Sequence, residues 1–291
     1  MYTGQWTLWI RFFLCNLQCN GFGQKNPTDP STYELPFEDF DATSVQRVED
    51  LPVWEKGCDS SYTWSKKFKH LMGHKTAREL VNEIREKTKS DTNPEGFFKH
   101  PLSQMTADMC FTGGEPLMKH GQQAFMEMWE CFKYDLNVPR GVTFETNGTR
   151  PLSDDFESYL RNKGKFNRPL LFSVSPKLWT VAGERTSKAI KPDVVKQYYD
   201  VSSVINSDWK TPSGQLKFVV GARDEQWDEL EHVVDQFREH GIDWPVYIMP
   251  VGATVEEQTA TAGDVAEIAF KRGFNVSGRL HCYLFGNAIG T

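Results

Sequence analysis

The sequence predicts an α/β protein built as a partial (β/α)6 barrel, similar to an incomplete TIM barrel. Short apolar runs alternate with amphipathic helical patterns along most of the chain, and this order favours a parallel sheet with right-handed crossovers. The chain has 291 residues, of which 39% are hydrophobic and 25% charged. That length and composition suit one soluble globular domain spanning residues 1–291.

Each predicted strand is a short apolar or alternating run bounded by turn residues. The first of them includes Arg11. The expected strands cover residues 6–13, 107–111, 141–145, 170–175, 215–220, 246–249 and approximately 275–281. Chemistry in such folds gathers at the carboxyl ends of the parallel strands. The residues that follow each strand are therefore the candidate site.

The predicted helices lie between these strands. The first shows the pattern clearly, since Leu80, Val81 and Ile84 fall on one face. The expected helices cover residues 76–87, 122–133, 153–162, 192–201, 225–240 and 262–272.

One segment, residues 21–56, interrupts this alternation. It is rich in Pro, Asp, Thr and Ser, carries acidic patches, and shows no convincing helix or strand. A loop this long inside a compact domain is usually functional or partly disordered. It could contact a partner protein or cover an active site, but a solvated surface loop is the favoured interpretation.

Charge and cysteine usage exclude several classes of protein. The net charge of −6 argues against direct nucleic-acid binding, but it is compatible with a small local basic pocket. The chain has no apolar run near the ~20 residues that a membrane span needs, and no secretory signal pattern. The six cysteines do not resemble a disulfide scaffold, so a reducing cytoplasm is expected. Cys110 and Cys131 are expected to be core residues.

Three other cysteines suggest an iron–sulfur centre. Cys15 and Cys19 share a tight loop after the first strand, and 38 residues separate Cys19 from Cys58. Three thiolates would leave one iron of a [4Fe-4S] cluster without a protein ligand, and an open iron can bind a small molecule. The alternatives are thiols with no ligand role, or a zinc site. Structural zinc usually needs four ligands from paired knuckles, which are absent here.

Polar motifs follow three further predicted strands. They are Thr112-Gly113-Gly114-Glu115-Pro116, Glu145-Thr146-Asn147-Gly148-Thr149 and Ser175-Pro176-Lys177-Leu178. Taken singly, each is compatible with ordinary turn chemistry. Arg11 ends an apolar strand, where a guanidinium needs a carboxylate partner from a ligand or from the chain itself.

Together these features resemble the radical S-adenosylmethionine superfamily, and within it the 7-carboxy-7-deazaguanine synthase family. That family's cysteine loop reads C-x3-C-x2-C-D-T, and here Phe22 stands where its third cysteine would fall. The continuation reappears as Cys58-Asp59-Ser60-Ser61-Tyr62-Thr63-Trp64. The resemblance therefore implies an insertion of about 36 residues between the second and third cluster ligands. It covers nearly the whole chain outside that insertion.

The resemblance implies a carbon–nitrogen lyase that converts 6-carboxy-5,6,7,8-tetrahydropterin to 7-carboxy-7-deazaguanine with loss of ammonia. The cofactors implied are a [4Fe-4S] cluster, S-adenosylmethionine and Mg²⁺. The implied residues are Cys15, Cys19 and Cys58 for the cluster; Gly113, Gly114, Glu115, Glu145, Ser175, Pro176 and Lys177 for S-adenosylmethionine; Ser60 for Mg²⁺; and Arg11, Thr112 and His281 for the substrate.

The family also implies an electron donor such as flavodoxin or ferredoxin, and often a homodimer. This chain departs from the family at Met249, where a Gln is common, and at Cys282, where a Lys is common. A family Gln-Gly-Glu-Gly segment would lie upstream of Thr3, so we expect either an upstream start or a different mode of substrate binding. The alternatives are another radical S-adenosylmethionine enzyme, such as a glycyl-radical activase, or a binding protein that has lost its cluster.

Overall fold

The structure is a computed structural model that describes residues 4–132 and 137–286, with only the backbone of His281. Its centre is one sheet of seven parallel strands, hydrogen-bonded in chain order. The strands are β1 (Thr7–Phe12), β2 (Asp108–Gly113), β3 (Val142–Thr146), β4 (Leu170–Val174), β5 (Gly214–Val220), β6 (Val246–Pro250) and β7 (Asn275–Val276). In the described residues β1 and β7 are the two edges, so the barrel is open. This confirms the predicted partial barrel.

Helices connect the strands, as the strand–helix order requires. They are α1 (Ala77–Thr88), α2 (Lys119–Glu130), α3 (Asp154–Arg161), α4 (Pro192–Asn206), α5 (Asp224–Glu239), α6 (Val255–Lys271) and α7 (Leu280–Phe285), with single helical turns at Trp179–Ala182 and Thr186–Ala189. None of the helices in the described ranges is both long and apolar enough to cross a bilayer.

Three predicted boundaries differ from the structure by five residues or more. Helix α4 ends at Asn206 rather than at residue 201. Helix α6 begins seven residues before residue 262, because Thr254 and Glu257 form a capping box that starts it earlier. The final strand stops at Val276, and the chain from Leu280 is helical. The predicted end of the second helix, residue 133, lies outside the described residues.

The outer face of the sheet is apolar and carries the helices. Phe111, Phe144 and Phe172 lie on neighbouring strands with ring centroids 5.2 and 5.7 Å apart. All three are fully buried, and Phe125 of α2 packs against the first two. Aromatic burial of this extent is a major source of stability.

The inner face of the same strands is polar. Side chains alternate between faces along a strand, so the residues between the core phenylalanines point inward. In the strand register, Arg11 lies beside Thr112, and Glu145 lies beside Ser173, which in turn neighbours Gln215. The fold therefore directs a row of polar groups into the open side of the barrel.

The insertion, residues 21–56, is folded. It contains helical turns at Pro30–Thr32, Pro36–Asp39, Ala42–Ser44 and Val48–Asp50. Phe37, Leu51 and Trp54 are at most 5% exposed and form a second hydrophobic cluster with Tyr62 and Phe68. The favoured interpretation of a solvated surface loop is thus wrong, because its aromatic residues pack against the segment that follows Cys58.

The insertion also closes on itself at its base. The Gly57 N–H donates to the Phe22 carbonyl oxygen at 2.8 Å. Lys56 forms an ion pair with Glu34, and the Gln24 side chain exchanges two hydrogen bonds with the Glu34 backbone. The chain therefore leaves the barrel and returns to it at one point.

Truncating the insertion's core should destabilise the whole protein. Phe37 is 2% exposed and meets the Trp64 ring edge-on at 5.5 Å. We expect Phe37→Ala to lower the free energy of unfolding by about 3 kcal/mol, measured by urea denaturation. A change within about 0.5 kcal/mol, typical of surface sites, would show that the insertion does not fold with the domain.

Candidate functional site

The structure brings the three candidate cysteines together. Cys19 is 6% exposed and packs with Leu17 and Ala182, while Cys15 and Cys58 border the same group as partly buried side chains. Cys58 reaches this position because Gly57 is paired with Phe22, three residues after Cys19. The 38 residues between the second and third cysteines therefore do not separate them in space.

The loop that carries Cys15 and Cys19 holds an unusual backbone. Leu14 and Cys19 both adopt positive φ, at 73° and 54°, which is uncommon for residues other than glycine. Glu184 holds this turn, since its Oε1 accepts the backbone N–H groups of Gln18 at 2.6 Å and Cys19 at 2.9 Å. The Leu14 N–H donates to the Thr63 carbonyl at 2.6 Å, tying the loop to the segment after Cys58.

Gly113 and Gly114 lie directly against this loop. A Cβ on Gly114 would approach the Leu14 carbonyl oxygen to 2.2 Å, and one on Gly113 would approach the Phe12 oxygen to 2.1 Å. Gly113 also has a φ of 137°, which side chains rarely adopt. Both positions thus require glycine for close backbone packing beside Cys15.

Glu115 points into the protein. Its side chain is fully buried and accepts hydrogen bonds from the Thr146 hydroxyl at 2.7 Å, the Asn147 N–H at 2.8 Å and the Leu117 N–H at 3.0 Å. Burial raises the pKa of this carboxyl, although the hydrogen bonds oppose the shift. The Glu115 carboxylate therefore links the ends of β2 and β3 and is used up by these hydrogen bonds. A ligand at this point would meet the neighbouring backbone rather than the Glu115 side chain.

A chain of polar contacts runs from β1 to the C-terminal region. Arg11 Nη1 donates to Ser60 Oγ at 3.1 Å, and Ser60 Oγ donates to Asp59 Oδ1 at 3.1 Å. Arg279 Nη2 pairs with Asp59 Oδ2 at 3.1 Å, and its Nη1 donates to the Gly252 carbonyl. Desolvation raises the pKa of Asp59, but Arg279 and Arg11 outweigh it and the net pKa is lowered.

Two lysines lie among the strand-end motifs. Lys217 Nζ bonds to Glu145 Oε1 at 2.8 Å, inside the barrel. Lys177 Nζ bonds to Ser175 Oγ at 3.0 Å and lies 5.7 Å from the centre of the Phe22 ring. The sequence pattern identified Lys177 and Glu145 but missed Lys217, which belongs to the apolar-looking strand β5.

Lys177 acts electrostatically on the cysteines. Burial raises the pKa of Cys15, Cys19 and Cys58, to about 12 for Cys58. The positive charge of Lys177 opposes the effect of burial and lowers the pKa of Cys15 and Cys19. A cation beside these thiols favours the thiolate form that binds metals.

The same group of thiols is not suited to a single ion. Across residues 4–132 and 137–286, no three His, Cys, Asp or Glu side chains lie close enough to hold one metal ion. A cluster of several irons is larger than one ion, so its ligands stand further apart.

The remaining predicted residues fall around this site. Thr112 is buried beside Arg11, and Pro176 is buried between Ser175 and Lys177. His281 lies in α7, but its side chain is outside the described part of the structure.

The structure also describes the other three cysteines and Met249, which with Cys282 departs from the family's sequence pattern. Cys110 is buried as expected, Cys131 is partly buried, and Cys282 is buried. Met249 pairs with Val219 in the sheet register, on the inner face.

Sequence patterns missed Glu184 and Arg279. Each acts through a partner more than 160 positions away in the chain, Glu184 on Cys19 and Arg279 on Asp59. No short motif surrounds either residue. The only available signal was that a buried carboxylate or guanidinium needs a partner.

Acid should weaken the fold through Glu145. Burial alone would raise its pKa, but Lys217, Arg11 and Lys177 lower it below the usual 4.5. Because the folded-state pKa is depressed, the ionised group stabilises the fold above pH 4.5, and this stability is lost as the pH falls through the folded pKa. The free energy of unfolding should therefore fall less steeply from about pH 5 to 3 in Glu145→Gln. Identical slopes in urea titrations at stepped pH would contradict this.

Comparison with known proteins adds an independent observation. No family model matches the chain. A 7-carboxy-7-deazaguanine synthase of Rhodopirellula baltica is 29% identical over 187 residues, which are 63% of this chain and 63% of that protein. One of Halobacterium salinarum is 28% identical over 194 residues, 63% of this chain and 66% of that protein. The chain thus spans just under two thirds of the length of these curated relatives.

Proposed function

Because this chain is related to the 7-carboxy-7-deazaguanine synthases, we propose that it is a radical S-adenosylmethionine enzyme that makes 7-carboxy-7-deazaguanine. Its substrate in this proposal is 6-carboxy-5,6,7,8-tetrahydropterin, and ammonia is lost. The observation that carries the proposal is that Cys15 and Cys58, both partly buried, pack against the same group as the buried Cys19 despite the insertion.

The chemistry of the donor set fits a [4Fe-4S] cluster. Three thiols converge, and Cys15 Sγ already receives the Leu17 N–H at 3.5 Å and the Asn147 amide at 3.8 Å. Thiolates on a cluster accept such donors readily. When bound, the cluster would supply the electron that cleaves S-adenosylmethionine.

In this proposal the chain's own residues bind and orient S-adenosylmethionine. The backbone of Gly113 and Gly114 would hold its amino group beside Cys15, while the buried Glu115 fixes that backbone. Lys177 and Ser175 stand beside the cysteines, and Glu145 lies further inside the barrel. Pro176 shapes the turn between them.

Cationic side chains in the site support an anionic substrate. Arg279 pairs with Asp59 and Lys217 with Glu145, whereas Arg11 and Lys177 donate to the hydroxyl groups of Ser60 and Ser175. Such a pocket favours the carboxylates of S-adenosylmethionine and of the pterin. Arg11, Thr112 and His281 are proposed to contact the pterin.

Mg²⁺ is proposed at Ser60. The hydroxyl lies beside Asp59, and hard oxygen atoms suit this ion. In the described residues, no group of three His, Cys, Asp or Glu side chains is placed to hold a metal ion here. The ion would therefore take its other ligands from water and the substrate carboxylate. The electron is proposed to come from a flavodoxin or ferredoxin.

Anaerobic reconstitution tests the proposal. The full chain is loaded with iron and sulfide, then incubated with S-adenosylmethionine, reductant, Mg²⁺ and 6-carboxytetrahydropterin, and the products are identified by mass spectrometry. We expect about four irons per chain and 7-carboxy-7-deazaguanine. The matched control omits only the pterin.

Two other outcomes would contradict parts of the proposal. Formation of 5′-deoxyadenosine without a deazaguanine would point to another radical S-adenosylmethionine reaction and refute the substrate assignment. Failure to load iron would point to a binding protein without a cluster and refute the whole proposal.

A further inference from the structure

Trp9 lies on strand β1 with its side chain open to solvent. The chain has nine tryptophans, and Trp9 is the most exposed of them, at 58%. No aromatic ring in residues 4–132 and 137–286 pairs with it, whereas Trp6 meets the His100 ring at 6.0 Å. Tryptophan is highly buried on average in folded proteins, so a ring this open is available to a bound molecule.

The alternation of β1 places Trp9 on the inner face of the barrel. Ile10 belongs to the main hydrophobic core, and Leu8 and Phe12 pack against that core. Side chains alternate between the two faces of a strand, so Trp9 and Arg11 lie on the opposite face. Arg11 extends from this face into the polar contacts of the candidate site. The indole ring of Trp9 therefore borders the same open space as the Arg11 guanidinium.

The sheet supports Trp9 on one side only. Trp9 neighbours Cys110 of β2 in the strand register, and Cys110 is 2% exposed. In the part of the chain that the structure describes, β1 is an edge strand, so no further strand covers Trp9 on its other side. The ring is thus fixed to a rigid strand and is still reachable from the open side of the barrel.

Trp9 and Arg11 offer two different contacts at a fixed spacing. Two residues along a strand are about 6.6 Å apart. An indole ring stacks on flat heteroaromatic rings, and a guanidinium binds a carboxylate through charged hydrogen bonds. A ligand that uses both contacts carries a planar ring at one end and a carboxylate at the other.

Resting on the proposed function, we infer that Trp9 binds the pterin ring of the substrate by stacking while Arg11 holds the substrate carboxylate. The flat part of 6-carboxy-5,6,7,8-tetrahydropterin is its pyrimidinone ring, and the carboxylate lies at the far end of the bicycle. Trp9 also lies further along β1 from the cysteine loop than Arg11 does. This assigns the stacked ring to the substrate and not to the adenine of S-adenosylmethionine.

Trp9→Leu and Trp9→Phe form the central comparison. Phenylalanine keeps an aromatic face, whereas leucine keeps only apolar bulk. Because Trp9 is largely exposed, neither change should disturb the core. Trp6→Leu is the matched control, since it removes an indole three positions away that packs against His100. Trp9→Gln, which also lacks a ring, replaces Trp9→Leu if that variant does not load its cluster.

The measurement is anaerobic isothermal titration calorimetry of the cluster-loaded full chain, first with S-adenosylmethionine and then with 6-carboxytetrahydropterin. We expect Trp9→Leu to raise the dissociation constant of the pterin about tenfold, as for loss of one ring-stacking contact. Trp9→Phe should recover most of that affinity, and Trp6→Leu should bind the pterin like the wild type. In turnover assays the loss should appear in KM and not in kcat, because stacking holds the ring equally in the ground state and the transition state.

The outcomes separate this inference from the proposed function. If the wild-type chain does not bind the pterin, the proposed substrate is refuted and the inference with it. If the wild type binds the pterin and Trp9→Leu binds it equally well, only the stacking inference is refuted. A loss of affinity for S-adenosylmethionine instead of the pterin would also refute it, because the stacked ring would then be adenine. Equal weakening in Trp6→Leu would refute it as well, since the effect would come from a general disturbance of β1.

Size-exclusion chromatography of the same variants tests the remaining occupant of this face, a second copy of the chain. We expect wild type and Trp9→Leu to elute together. An altered elution of Trp9→Leu with unchanged pterin affinity would assign the exposed ring to a contact between copies and overturn the inference.

Discussion

Replacing Cys58 by serine should reduce the iron retained after reconstitution from about four per chain to well under half of that, and should abolish cleavage of S-adenosylmethionine. The reason is geometric. Cys58 is the only one of the three cysteines that arrives from beyond the insertion, and the Gly57–Phe22 hydrogen bond fixes where it arrives. Serine keeps the size of the side chain but removes the soft sulfur ligand that iron prefers in such clusters.

Cys131→Ser is the matched control for this variant. Cys131 is also a free, partly buried cysteine, but its thiol bonds to the Glu127 carbonyl of α2, away from the other three. Iron and sulfide analysis together with the visible absorption spectrum would compare the two. Full loading of Cys58→Ser would show that Cys58 is not a ligand and that the insertion does not divide a cluster motif.

Glu184→Ala should destabilise the protein by about 2 to 6 kcal/mol. The carboxylate is buried and satisfies the N–H groups of Gln18 and Cys19, so its removal leaves two donors without partners at a cost of about 1–3 kcal/mol each. The left-handed backbone of Cys19 would also lose its support. We therefore expect a second effect, faster loss of iron from the reconstituted protein.

Glu229→Ala separates these two effects. Glu229 is a similar brace, since it accepts the N–H groups of Trp179 and Thr180, both at 2.8 Å. It supports the neighbouring turn and does not touch the cysteine loop. Urea denaturation should show a loss of stability in both variants, whereas chelator-challenge kinetics should show faster iron release in Glu184→Ala alone. Equal iron release would mean that Glu184 acts only through general stability.

The barrel was largely predictable from the sequence because its signals are local. The strands read as short apolar runs, and the helices as amphipathic patterns, within windows of a few residues. Errors arose where a local signal was overlooked, as with the capping box of Thr254 and Glu257 that extends α6.

The candidate site was predictable only in part. Residues at strand ends, such as Glu145 and Lys177, lie in recognisable motifs. Lys217, Glu184 and Arg279 lie in no motif, because each is paired with a partner distant in sequence. Pairing of this kind depends on how the elements pack, which composition and spacing do not encode.

The fold of the insertion could also not be predicted from the sequence of that segment alone. Its content of Pro, Asp and Ser is typical of a loop, yet Phe37, Leu51 and Trp54 are enough to nucleate a small cluster. What decides the outcome is that Tyr62 and Phe68, outside the insertion, supply the other half of that cluster. A segment judged alone cannot reveal a core that it shares with a neighbour.

The hydrogen-bonded base of the insertion has a consequence for how the chain could change length. Once Phe22 and Gly57 are held together, the number of residues between them enters only through loop-closure entropy, which rises by about 0.6 kcal/mol for each doubling of length. The spacing of Cys19 and Cys58 along the chain is then nearly free to vary, while their spacing in three dimensions is not. New chain ends or a tethered domain placed within residues 23–56 should therefore leave the cysteine group in register, provided that the shared aromatic cluster is kept.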